Sequence, residues 1–78
     1  MYLTLTLHLC GKNYDIQADK GLPIEKAVRA VSENMRLYEG VELPRFFKSA
    51  QQRRVIGSTF TFEQGKIQSG DILTALEA

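Results

Sequence analysis

Residues 2–9 read Tyr2-Leu3-Thr4-Leu5-Thr6-Leu7-His8-Leu9, with a leucine at every second position. A period of two is the strand period. The segment is therefore a half-buried strand, with its four leucines toward a core and Thr4, Thr6 and His8 outward. Cys10-Gly11-Lys12-Asn13 supplies turn chemistry, because Gly and Asn tolerate positive φ. Tyr14-Asp15-Ile16-Gln17-Ala18 then alternates again, and two such runs about a short turn read as a β-hairpin. Its leucine face needs a cover.

Working outward, Asp19-Lys20-Gly21-Leu22 breaks the alternation and Pro23 falls where a first helical residue is favoured. From there Ile24, Ala27, Val28, Val31 and Met35 recur at helical spacing, which predicts one apolar stripe on a helix from about residue 23 to 36. These residues are read as core, the natural partner of the leucine face, and carry no assigned function. Arg45-Phe46-Phe47-Lys48-Ser49 predicts a third strand and Gln51 to Arg54 a polar turn. Arg54-Val55-Ile56 predicts a short fourth strand. Phe60 and Phe62, in a loop over residues 57–64, are available to plug the core edge. A tight turn over 66–71 leads into a last strand, Ile72-Leu73-Thr74-Ala75-Leu76.

A strand that follows a helix can lie parallel to the strand before it, since the helix supplies the crossover that parallel pairing needs. The expectation is an α+β fold: a mixed four- to five-stranded sheet packed on one helix, the β-grasp arrangement. At 78 residues the chain reads as one domain, residues 1–78. A chain this short buries only about 60% of its unfolded surface, enough for one small core and no deep cleft. Ten Lys and Arg against nine Asp and Glu leave a net charge of +1, which argues against bulk duplex DNA or an anionic membrane as partner. The single cysteine, Cys10, allows no internal disulfide and suits a reducing cytoplasm. The N-terminal segment has no basic leader, and no run approaches the roughly 18 apolar residues of a membrane span. A cytoplasmic location without direct membrane insertion is expected.

Pro23-Ile24-Glu25-Lys26-Ala27-Val28 resembles the opening of the ubiquitin helix. Lys66-Ile67-Gln68, with Leu73 six residues after Ile67, resembles the buried Ile-Gln turn that leads into ubiquitin's last strand. Within that superfamily the chain is similar to the bacterial YukD/EsaB family of small ubiquitin-like proteins. The hairpin starting at residue 2, the stretch from Thr59-Phe60-Thr61-Phe62-Glu63, and Gly65 to Leu73 with its Gly70-Asp71 turn carry that resemblance. It implies a non-enzymatic accessory or regulatory protein of a type VII (WXG100/ESX-like) secretion system in Gram-positive bacteria. Such a protein would act by contact with membrane-associated machinery, and a homodimer stays open. Conjugation or sulfur carriage by β-grasp proteins uses a tail ending in Gly-Gly. This chain closes Thr74-Ala75-Leu76-Glu77-Ala78, with no glycine after Gly70, so conjugation is not expected.

Two adjacent residues of a strand point to opposite faces, so Phe46 and Phe47 cannot both enter the core. The register of ubiquitin implies Phe46 inward and Phe47 outward, with Leu73 and Ala75 inward and Leu76 outward beside Phe47. Phe47 and Leu76 would then match two parts of ubiquitin's recognition patch. The competing reading has Phe47 tucked under the 57–64 loop as ordinary core, with Phe46 the exposed ring. The first turn departs from that pattern, having Cys10-Gly11-Lys12 where the patch has a leucine. The expected partner-binding surface is Phe47 and Leu76, rimmed by Arg45, Arg53 and Arg54 and facing a protein. Arg45, Lys48, Arg53 and Arg54, with Phe46 and Phe47 interleaved, could form a stacking platform for nucleic acid, which the near-zero net charge disfavours. A basic patch facing an acidic protein partner, or an edge strand kept soluble by its charge, fits better. His8 and Cys10, two apart, lack further ligands for a metal and an orienting group for a nucleophile. No catalytic residue, metal, cofactor or small-molecule substrate is expected.

Overall fold

The computed structural model describes residues 1–76. Its elements are β1 (Tyr2–Leu9), β2 (Lys12–Asp19), α1 (Ile24–Met35), β3 (Phe46–Ser49), β4 (Arg54–Gly57) and β5 (Ile72–Leu76). The strands form one sheet in the order β2-β1-β5-β3-β4. β1 and β5 run parallel, with Leu7 opposite Leu73, and every other neighbouring pair is antiparallel. A mixed five-stranded sheet with a single helix is compatible with the β-grasp arrangement. The parallel pair is central, and the segment between β1 and β5 contains the crossover helix that such pairing requires. Glu77 and Ala78, on which the expectation about the chain's end partly falls, lie outside the described residues.

The hairpin closes as its alternation predicts. Leu9 and Lys12 are the last pair, and the two loop residues Cys10 (φ 51°) and Gly11 (φ 78°) both take positive φ, the signature of a tight primed turn. The four leucines of β1 are all buried, together with Ala18, Ile24, Ala27, Val28, Phe47, Ile56, Phe62, Ile67 and Leu73. These side chains make one core between α1 and the inner sheet face.

Pro23 stands just outside the helix rather than as its first residue, and offers no side-chain cap. The 58–60 segment does that work. Ile24 N–H donates to the Phe60 carbonyl at 2.8 Å and Glu25 N–H to the Ser58 carbonyl at 2.9 Å, satisfying two of the donors that a helix start leaves unpaired. Of the two loop aromatics, Phe62 enters the core as expected, whereas Phe60 is exposed. Ile67 is buried but Gln68 is exposed, so only half of the Ile-Gln turn is interior.

Met35 corrects the predicted stripe. It sits on the apolar side by angle, yet it is the last helical residue and is 53% exposed. Arg36 follows in the left-handed conformation (φ 55°), and Leu37 N–H turns back to the Ser32 carbonyl at 2.8 Å. The chain then reverses, and Leu37 and Tyr38, packed against the core, supply cover beyond the helix end. Ser32 is buried instead, its hydroxyl donating to the Val28 carbonyl at 2.6 Å.

Candidate interaction surface

β3 is built in the opposite phase to the one the ubiquitin register implied. Phe47 is fully buried and Phe46 is 54% exposed. The buried ring of Phe47 has no surface to offer a partner, which removes it from the expected site. The physical reason lies two residues on. The phase that buries Phe46 also buries Lys48, and an unpaired ammonium in an apolar interior costs far more than a hydroxyl. The phase observed buries Ser49, whose hydroxyl donates to Asp71 Oδ2 at 2.5 Å and accepts the Gln52 N–H at 3.2 Å. Asp71 is itself fully buried. Its other oxygen accepts backbone N–H groups from Gln51 at 3.1 Å and Ile72 at 2.7 Å. Among the described residues, no buried side-chain nitrogen or oxygen lacks a partner.

Leu73 is buried and Ala75 half-buried as expected, and Leu76 points outward at 41% exposure. Its cross-strand partner is Phe46, not Phe47. Directly opposed side chains on one sheet face stand about 4.5–5.5 Å apart at Cβ. Following the same registers, Lys48 opposes Thr74 on β5 and Val55 on β4. The outer face of β5, β3 and β4 therefore displays Phe46, Val55, Ile72 and Leu76 around Lys48 and Thr74, and all four apolar side chains are exposed. Lys48 was expected in a basic cluster with the three arginines rather than alone among apolar side chains, and Val55 and Ile72 were not foreseen as part of the surface. Strict alternation outward from Lys48 is the signal that finds them.

The arginines separate. Arg45, just before β3, bonds Glu42 through Nη2 at 3.3 Å and stays at the margin beside Phe46. Arg53 occupies the β3–β4 turn in the left-handed conformation. Arg54 is opposite buried Ser49, hence on the other sheet face, where Nη2 lies 3.5 Å from the Gly65 carbonyl. These cations make no shared basic platform. A groove of about 470 Å³ opens beside the apolar row, lined by Tyr38, Val41, Leu43, Pro44, Phe46 and Leu76 together with the Glu42–Arg45 pair. Phe46 and Leu76 belong to both groove and face, so the two are continuous.

His8, on the outer face of β1, has Nδ1 at 2.6 Å from Asn13 Oδ1 across the hairpin, and Cys10 is exposed in the turn. Among the described residues, no three His, Cys, Asp or Glu side chains gather as a metal site. No helix among them is long and apolar enough to cross a membrane. No protein-family model and no curated protein matches this chain.

Proposed function

We propose that this chain is a non-catalytic protein–protein interaction module that docks through the outer face of β5, β3 and β4. One observation carries the reading. Phe46, Val55, Ile72 and Leu76 are exposed together on a single sheet face, next to a groove that Phe46 and Leu76 also line. Scattered surface hydrophobes need no explanation, but a contiguous set on one face marks a contact surface. Arg45 and Arg53 stand at its margin, and Arg54, on the opposite face, is left out.

The finer assignment rests on the resemblance of residues 23–28 and 59–73 to ubiquitin-like proteins. On that basis the module is a ubiquitin-like β-grasp domain of the YukD/EsaB kind. It serves as a cytoplasmic accessory or regulatory component of a type VII secretion system. The test is affinity capture from a mildly solubilised lysate of the native organism, with wild-type chain and Phe46→Ala as paired baits. Recovery of a membrane-bound secretion ATPase or its neighbours by wild type, lost with Phe46→Ala, is the expected result. Recovery of an activating enzyme, or capture indifferent to Phe46, refutes the assignment.

A further inference from the structure

The outer sheet face is divided by charge. On the β2 side, Asp15 and Asp19 are both held: Asp15 Oδ1 accepts the Thr6 hydroxyl at 2.6 Å, and Asp19 Oδ1 accepts the Gly21 N–H at 2.8 Å. The α-amino group of Met1 lies 4.0 Å from Asp19 Oδ2. On the other side, across β5, β3 and β4, the outward positions carry one charge, Lys48. Two ion pairs occur among the described residues, and neither includes it. Lys48 sits centrally, opposite Thr74 and Val55, with Phe46 two residues away on its own strand and Leu76 opposite Phe46. The nearest arginine in sequence, Arg45, is already engaged by Glu42.

We infer that the partner of this face is a polypeptide segment whose apolar side chains flank a carboxylate, and that Lys48 receives that carboxylate. The inference rests on the docking role proposed above. Covering Phe46, Val55 and Leu76 also strips water from the ammonium between them. A partner that presents only apolar groups there leaves a desolvated, unpaired charge, the most unfavourable outcome at an interface. A carboxylate among its apolar residues removes that cost and fixes register at the same time. Phosphate of a nucleic acid is the poorer match. It needs several converging cations, whereas the outward positions of this half carry only Lys48. Arg45 at the margin is paired with Glu42, Arg53 lies in the β3–β4 turn, and the other half bears Asp15 and Asp19. The adjoining groove, whose apolar wall is Tyr38, Val41, Leu43 and Pro44 and whose charged lining is the self-paired Glu42 and Arg45, suits an apolar side chain on the same segment.

The experiment is a display selection of random linear peptides against the full chain, with winners retested on Lys48→Glu, Lys48→Arg and Phe46→Ala. Lys48 and Phe46 are exposed, so all three variants are expected to fold, and a denaturation curve for each checks that. The expected winners carry Asp or Glu among large apolar residues. Their affinity falls at least about tenfold with Lys48→Glu and is largely kept with Lys48→Arg. Replacing the winner's acid with lysine restores binding to Lys48→Glu. Winners that depend on Phe46 but ignore the charge at residue 48 overturn the carboxylate inference and leave the docking face standing. Winners indifferent to Phe46, or none at all, overturn both. Binding of single-stranded oligonucleotide that depends on Lys48 and falls steeply with salt replaces the peptide by nucleic acid and overturns the inference too.

Discussion

Replacing one phenylalanine of the adjacent pair removes a core residue, and replacing the other removes a surface one, so Phe47→Ala and Phe46→Ala decide the phase of β3. Phe47 is fully buried, facing inward between Ala75 and Ile56 at its register positions. A phenylalanine buries at least about 150 Å². At about 25 cal/mol per Å² that area is worth about 4 kcal/mol, part of which the alanine Cβ retains. The unfilled cavity adds to the loss, and truncations of this kind cost about 3–5 kcal/mol. Phe46, half exposed, should lose no more than about 0.5 kcal/mol, as surface substitutions usually do. Domains hold about 0.05–0.15 kcal/mol per residue, or about 4–12 kcal/mol for this length, so Phe47→Ala removes a large share of the whole. Guanidinium denaturation followed by far-UV circular dichroism reads the difference. With a slope of about 2 kcal/mol/M, the Phe47→Ala midpoint falls by about 1.5–2.5 M while that of Phe46→Ala hardly moves. A Phe46→Ala midpoint lower than that of Phe47→Ala would refute the phase, and with it every outward assignment on β3 and β4. The same contrast bears on docking. Loss of binding in Phe47→Ala would report a damaged fold, whereas loss in Phe46→Ala reports the surface.

Asp71→Ala should cost at least about 2 kcal/mol, because it orphans the Ser49 hydroxyl and the Gln51 and Ile72 N–H groups around a buried site. Asp71→Asn, which keeps one acceptor oxygen, should cost less, and the two midpoints compared in one denaturant series check the order. Arg36→Gly should raise stability by about 0.5–1 kcal/mol, since Arg36 holds a left-handed helix-end conformation that glycine adopts without a Cβ penalty. An unchanged or lower melting temperature would count against that geometry. Met35→Ala should fall within about 0.5 kcal/mol of wild type, despite its place on the helical stripe, and a loss of core size would show it buried after all.

Much of the fold was legible because its strongest signals are local. Four alternating leucines fix the phase of β1, and the Cys10-Gly11 turn sets the hairpin register, so the core side of half the sheet follows directly. The parallel pairing of β5 with β1 followed from the helix between them. Met35 was not legible, because helical periodicity says which side a residue is on, not where the helix outruns what it covers. Leu37 and Tyr38, folding back over the core, belong to an irregular segment with no period to read.

The candidate surface was half legible, and the reason lies in how short β3 is. With four residues, alternation alone leaves two phases, and each buries one phenylalanine. Borrowing a register from another protein chose the wrong phase, although the chain holds the information needed to choose. Burying Lys48 would strand a charge, whereas burying Ser49 needs only one polar partner, and Asp71 provides it from the turn before β5. That buried pair therefore does more than close a turn. By making Ser49 acceptable inside, it turns Lys48 outward, and Phe46 goes with Lys48 because they are two residues apart. The apolar surface and its lone cation are thus the outward consequence of a hydrogen bond on the opposite side of the sheet.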